Sequence, residues 1–183
     1  MIEIQDLTVR FPDCTVFEKQ SFALPDTGVV LLCGESGIGK TTLLRVLAGL
    51  IKPQSGTITG LEGRRISFAF QEPRLLEQMR AIDNVALVKD RNTAEALLHR
   101  LNLDDVAQKK ASELSGGQKQ RVSLARAFAY SDDLVLLDEP FTGLDEMNKL
   151  RAAELIRSAK LAIVVTHDAS DAALLHADRK INL

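Results

Sequence analysis

This sequence has almost no excess of charge of either sign, and it has few aromatic side chains. Among its 183 residues, 23 are Lys or Arg and 25 are Asp or Glu, so the formal net charge is −2, and there is no tryptophan. Proteins that hold nucleic acid through its phosphates carry a clustered excess of basic residues. The even mixture of charges therefore predicts no nucleic-acid partner.

Long apolar runs are missing as well. The run Val29–Cys33, as long as any in the chain, is far shorter than the roughly 20 residues that a membrane-spanning helix requires. The opening residues, Met-Ile-Glu-Ile-Gln-Asp, have neither the basic nor the apolar segment of a secretion signal. We therefore expect a chain that does not cross the membrane and that remains in the cytoplasm.

Cysteine is rare too. Cys14 and Cys33 stand at a spacing that fits no common metal-binding motif. We expect both to be small buried apolar residues in a chain from a reducing compartment.

Apolar periodicity predicts alternating strands and helices, and hence an α/β fold with a mainly parallel, doubly covered sheet. Strands are expected over 2–10, 28–33, 66–70, 134–137 and 161–165, and helices over 41–50, 122–130 and 146–159. Residues 56–63 are expected to form a turn between short strands, and residues 74–110 a small helical insert. The length suits one domain with a sizeable core.

A glycine-rich loop lies between the second predicted strand and the first predicted helix. Gly34–Thr41 matches the pattern G-x-x-x-x-G-K-[ST], which places backbone N–H groups and a helix N-terminus around phosphate oxygens. A chance glycine turn is the alternative, and the flanking strand and helix disfavour it. Lys40 would contact the β- and γ-phosphates and Thr41 would ligate Mg²⁺. The nucleotide-contacting residues are predicted to be Gly34, Glu35, Ser36, Gly37, Ile38, Gly39, Lys40, Thr41 and Thr42.

Two later strands end in polar side chains. The strand 134–137 runs into Asp138 and Glu139, and the strand 161–165 runs into His167. In a parallel sheet these ends share one edge with the phosphate loop, so Asp138 is predicted to ligate Mg²⁺, Glu139 to activate water and His167 to contact the γ-phosphate. In isolation, two acids after a strand form a solvated turn, and a lone histidine is a structural or surface residue, as we expect for His99 and His176.

The segment Leu114–Gln118 followed by Lys119–Val122 reproduces the signature motif of ATP-binding cassette (ABC) ATPases, and Asp138–Asp145 resembles their Walker B motif and D-loop. A capped glycine turn that only begins a helix is the alternative for the first segment. The resemblance implies a head-to-tail dimer in which each signature closes over the ATP on the partner's phosphate loop. It assigns nucleotide contacts to Ser115, Gly116, Gly117, Gln118 and Asp145.

Two further roles follow from the same resemblance. Gln71 is similar to the Q-loop glutamine that contacts the Mg²⁺ or water region and links the nucleotide site to the helical insert. Phe11 stands near the place of an aromatic residue that stacks on adenine, although Phe17 competes for this role and Phe11 is equally well explained as a core residue. Residues 70–76 look like the Q-loop region of importers for nitrate, sulfonates and similar anions.

The resemblance implies a P-loop NTPase fold with a small N-terminal antiparallel β part, in one domain over 1–183. Residues 1–70 and 119–183 would form the nucleotide-binding core, and residues 71–118 the helical subdomain with the signature.

The implied function is hydrolysis of ATP, with Mg²⁺, as the energy-supplying subunit of an ABC transporter, most simply an importer. The implied partners are a second copy or a homologous ATPase subunit, transmembrane permease subunits on the inner face of the cell membrane, and a solute-binding protein. The rivals are a soluble ABC ATPase that acts on DNA or the ribosome, and a nucleotide-dependent switch with negligible turnover.

Overall fold

The computed structural model describes the backbone of residues 1–183 and every side chain except that of residue 169, and this described chain forms eight strands and six α-helices. The strands are β1 (Ile2–Phe11), β2 (Cys14–Leu24), β3 (Gly28–Cys33), β4 (Ser55–Thr59), β5 (Ile66–Ala69), β6 (Leu134–Asp138), β7 (Leu161–Val165) and β8 (Arg179–Asn182). The helices are α1 (Lys40–Leu47), α2 (Ala81–Ala86), α3 (Arg91–Arg100), α4 (Gly116–Tyr130), α5 (Glu146–Arg157) and α6 (Ala169–Leu174). None of the described helices combines the length and the apolar character needed to span a bilayer.

The main sheet is parallel, as predicted. Its five strands are ordered β5-β6-β7-β3-β8, and β6 and β7 are buried along their whole length. Strands that run in the same direction deliver their C-terminal loops to one edge. The loops after β3, β6 and β7 therefore meet at that edge.

The N-terminal strands form a separate antiparallel sheet, ordered β2-β1-β4, which confirms the predicted fold class. The prediction of a turn over 56–63 is wrong in its first half, because β4 pairs with β1. The strand β2 was not predicted because most of its side chains are exposed and its apolar alternation is weak. β8 was missed for the same reason.

Two apolar cores lie on opposite faces of the main sheet. Along β6, Val135 and Leu137 face the core shared with helices α2 to α5, whereas Leu134 and Leu136 face the core shared with α1 and the antiparallel sheet. Helices α2 and α3 pack on α4, which extends across the predicted boundary between residues 118 and 119.

The expectation for the cysteines is wrong for Cys14. This residue is exposed, because it begins β2 directly after the turn that joins β1 to β2. Cys33, at the end of β3, is half-buried. His99 and His176 are both exposed, as predicted.

Gly56 occupies a position in β4 that excludes any side chain. Its φ is +95°, and an added Cβ would lie 2.6 Å from the carbonyl oxygens of Gln5 and Asp6. We expect Gly56→Ala to lower the free energy of unfolding by more than about 1 kcal/mol beyond the effect of Gly63→Ala. Gly63 is the matched control, since its φ is also positive, at +74°, but its Cβ would meet open space. Urea unfolding of both variants measures the difference, and equal losses would contradict the steric explanation.

Candidate functional site

The loop 34–39 leads from β3 into α1 and presents that helix's N-terminus. Gly39 has a φ of +112°, and a Cβ on it would lie 2.4 Å from Val16 Cγ1, so only glycine fits there. The described residues offer α1 no side-chain cap. Its first N–H groups are therefore available to an anion, and the helix dipole favours one.

Lys40 and Thr41 are held at the base of this loop. Lys40 is only 5% exposed, and its Nζ donates hydrogen bonds of 2.8 Å to the carbonyl oxygens of Gly34 and Glu35. The Thr41 hydroxyl donates to Asp138 Oδ1 at 3.0 Å, which connects the start of α1 to the end of β6. A positive charge, a hydroxyl oxygen and a carboxylate are thereby placed next to the helix N-terminus.

An open cavity of about 270 Å³ lies above these residues. It is lined by Ser36, Gly37, Gly39, Lys40, Thr41, Thr42, Gln71, Val165 and His167. The structure thus brings the phosphate loop, Gln71 and His167 together, although they are distant in sequence. A second cavity of about 140 Å³ shares Gln71 and is lined by Asp138 and Arg45 among others.

Glu139 adopts a strained backbone conformation next to His167, which lines the first cavity. Its φ of +51° is unusual for a non-glycine residue, and such conformations typically cost roughly 1–3 kcal/mol. Its N–H donates to the carbonyl oxygen of Val165 at 3.0 Å. Among the described residues, Glu139 Oε1 accepts no hydrogen bond, and His167 Nε2 lies 3.2 Å away from it. A buried carboxylate oxygen is therefore left free to accept a proton.

Burial raises the pKa of both acids at this edge of the sheet. Asp138 is only 3% exposed, and burial is the main cause of its raised pKa. The hydrogen bond from Thr41 and the nearby positive charges of Arg45 and Lys40 lower this pKa and so partly offset the effect of burial. For Glu139, the neighbouring His167 opposes the same effect of burial. Raised carboxyl pKa values in a cleft are typical of sites that handle protons or cations.

The donor set suits Mg²⁺ bound together with phosphate. In the part of the chain that the structure describes, no group of three or more His, Cys, Asp or Glu side chains could hold a metal ion. The Thr41 hydroxyl and the Asp138 carboxylate offer two adjacent oxygens instead. Mg²⁺ is commonly held in this way, with one or two protein oxygens and the remaining positions filled by water and phosphate.

The signature residues Ser115–Gln118 begin α4. The Ser115 hydroxyl accepts a hydrogen bond from the Gln118 backbone N–H at 3.3 Å, and Gln118 Oε1 accepts one from the Ser115 N–H at 2.9 Å, which together form a capping box. A Cβ on Gly117 would lie 2.4 Å from the Gly143 carbonyl oxygen, so the signature packs tightly on the acidic loop, residues 139–145. Because of this capping box, α4 begins at Gly116, earlier than the predicted residue 122. The apolar periodicity of residues 116–121 is too weak to predict that start.

The signature lies outside the cavity of its own chain. Among the described residues that line the cavity, none belongs to Ser115–Gln118. Ser115 and Gly116 are both exposed. Asp145 is exposed as well and caps α5, and hydrogen bonds from Asn148 lower the pKa of its carboxyl. The structure therefore does not bring these predicted nucleotide contacts to the phosphate loop within one chain.

The two phenylalanine candidates differ in exposure. Phe11 is 42% exposed at the end of β1, so its interpretation as a core residue is wrong. Phe17 is 4% exposed and packs against Gly39, so its ring is not available to stack on a base. Arg45 is a site residue that the prediction missed. Its position one helical turn after Thr41 on α1 could have revealed it.

Glu139 should make stability depend on pH. Because burial raises its pKa above the ordinary 4.5, the folded chain binds this proton more tightly than the unfolded chain, and the associated stability is lost as the pH rises through the raised pKa. We expect Glu139→Gln to be more stable than the wild type near pH 7, with the difference vanishing near pH 4. Urea unfolding at both values tests this, with the exposed Glu95→Gln as control, and a difference that does not change with pH would refute it.

Comparisons with known proteins find similar sequences over most of the chain. The model of a family described as ABC transporter matches residues 17–142. The aliphatic sulfonates import ATP-binding protein SsuB of Zymomonas mobilis is 41% identical over 196 residues, which cover 100% of this chain and 81% of that protein. The sulfate/thiosulfate import ATP-binding protein CysA of Vibrio vulnificus is 37% identical over 198 residues, which cover 93% of this chain and 57% of that protein.

A solved structure agrees over the whole chain. The dimeric ATP-binding cassette MJ0796, in a post-hydrolysis state bound to ADP and Pi, superimposes with a TM-score of 0.85 at 26% identity. The match covers 100% of this chain and 94% of that one.

Proposed function

This chain belongs to the ABC transporter family, as an importer-type subunit that binds and hydrolyses ATP, and on that basis we propose how its residues carry out this task. The observation that carries the proposal is that the phosphate loop and His167 line one cavity, while Asp138 accepts a hydrogen bond from Thr41 and Glu139 lies beside His167. The relatives' names do not favour an ATPase acting on DNA or the ribosome. The post-hydrolysis state of the similar cassette does not favour a switch without turnover.

We propose that the triphosphate of ATP lies along the loop 34–39 and the N-terminus of α1. Backbone N–H groups would bind the phosphate oxygens, and Lys40, now held by two loop carbonyls, would turn to the β- and γ-phosphates. Thr41 and Asp138 would hold Mg²⁺, with Gln71 at the rim of the same site. When bound, this ion supplies positive charge that neutralises the phosphates. Phe11, exposed at the end of β1, is our candidate for the adenine contact.

We propose that Glu139 accepts the proton of the attacking water and that His167 donates a hydrogen bond to the γ-phosphate. The free, buried Oε1 of Glu139 supports the first role, because a general base needs an oxygen that other donors do not occupy. The 3.2 Å separation from His167 Nε2 supports the second, since it places the ring at the same end of the cavity.

The signature is proposed to act on the ATP of a second copy. Its Ser115 is exposed at the N-terminus of α4 and lies away from the chain's own cavity. A head-to-tail pair would place this serine and Gly117 against the partner's γ-phosphate, with Asp145 nearby. The dimeric state of the similar cassette supports this arrangement.

Permease subunits complete the proposed transporter. They would dock beside Gln71 on the inner face of the membrane, with residues 71–118 acting as a helical subdomain between them and the core. The relatives that import sulfonates and sulfate suggest a small oxyanion of sulfur as solute, delivered by a solute-binding protein. Other subunits would recognise that solute, because this chain contributes ATP chemistry.

Replacing the proposed base should separate binding from hydrolysis. We expect Glu139→Gln to lower the ATPase rate by at least about a hundredfold while ATP remains bound. Phosphate release measures the rate, and gel filtration with ATP should show a retained dimer. Glu95→Gln, on the exposed face of α3, is the control and should behave as the wild type. Unchanged turnover in Glu139→Gln would remove this residue from the base role.

A bulky charge at the signature tests whether it acts on the partner's nucleotide. We expect Ser115→Arg to lower ATPase activity about a hundredfold, while the ATP affinity of the monomer stays within about threefold of the wild type. Ser158→Arg, at the C-terminal end of α5, is the matched control. If monomer affinity fell as far as activity, the signature would have to act within its own chain.

A further inference from the structure

The first turn of α5 contacts two other helices through adjacent side chains. Asn148 Oδ1 accepts a hydrogen bond from Arg121 of α4 at 2.9 Å. The ammonium of Lys149 lies 2.7 Å from Asp171 Oδ1 in α6. Because α4 begins with the signature turn and α6 follows His167, consecutive residues of α5 connect these two segments.

The contact with α4 is buried and well defined. Arg121 is 7% exposed, and its guanidinium also donates to the carbonyl oxygens of Leu101 at 2.6 Å and Asn102 at 2.9 Å. Asn148 in turn donates to the Asp145 carboxylate through its backbone N–H at 2.9 Å and its Nδ2 at 2.8 Å. A continuous set of hydrogen bonds therefore runs from the signature helix to the end of the acidic loop.

The contact with α6 is a largely buried ion pair. The side chains of Lys149 and Asp171 are 14% and 9% exposed, and Asp171 raises the pKa of Lys149. The Lys149 ammonium is what balances the charge of the Asp171 carboxylate. Removing one partner of a buried pair leaves the other charge uncompensated, unlike the loss of an exposed pair. This contact joins α6 to α5, together with the hydrogen bond that Arg157 donates to the carbonyl oxygen of Leu174.

We propose that Asn148 and Lys149 form a positioning link, which fixes the position of His167 relative to Ser115 of the same chain. This Ser115 is the one proposed to contact the partner's ATP. The inference rests on the proposed function, in which His167 acts on the chain's own ATP and Ser115 acts on the partner's ATP. Hydrolysis of the ATP bound to one chain then depends on the position of that chain's own signature, which contacts the partner's ATP. Lys149 and Asp171 are positioning residues, since neither is among the described residues that line the nucleotide cavity.

Removing the ion pair tests the link. In the full-length chain, Lys149→Met and Asp171→Asn should each lower kcat for ATP about tenfold and leave KM within about twofold, because the residues act through His167 rather than on bound ATP. Combining them should lower kcat no further than either alone, as expected for partners in one interaction. Lys149→Arg, which preserves the charge, should recover kcat to within about threefold of the wild type.

An exposed ion pair provides the control. Arg91 and Glu95 on α3 are 48% and 57% exposed, so Arg91→Met should leave kcat unchanged. Urea unfolding gives the folded fraction with which every rate is normalised. Wild-type kcat in the folded single variants, additive losses in the double variant, or failure of Lys149→Arg would each overturn the link. Absence of ATPase activity in the wild type would instead refute the proposed function, and the link with it.

Discussion

The hydrogen bond from the Thr41 hydroxyl to the Asp138 carboxylate joins the start of α1 to the end of β6. It forms because β3, β6 and β7 run in the same direction and end at one edge of the sheet. The helix N-terminus proposed to receive phosphate and the carboxylate proposed to bind a cation are thereby held within one hydrogen bond of each other. The cavity, and with it the proposed chemistry, depends on this junction.

The residues at this edge of the sheet carry features that destabilise the folded chain when no ligand is bound. Asp138 is buried and Glu139 is half-buried, both have raised pKa values, and Glu139 also has a strained φ of +51°. Two fully buried strands and the cores on both faces of the sheet hold these residues in place. Such strain and desolvation are typical of functional sites, because a ligand of complementary charge offsets them when it binds.

The signature turn is built differently from the phosphate loop. Ser115 and Gln118 cap their own helix, and Gly117 packs on Gly143, so this turn is complete before any nucleotide arrives. Its exposure and its distance from the cavity divide the predicted nucleotide contacts into two groups. The contacts of Asn148 and Lys149 are the route by which we propose that one group influences the other.

The strongest local patterns were predictable from the amino-acid order. The buried strands β3, β6 and β7 appear as continuous apolar runs, and the motif around Lys40 carries its own loop and helix signals. The exposed edge strands β2 and β8 lack such runs, and the contacts of Arg45, Asn148 and Lys149 have no sequence signal beyond ordinary helix composition. A local pattern records only which groups one element must bury, whereas these contacts arise when distant elements pack and a buried charge has to find its partner.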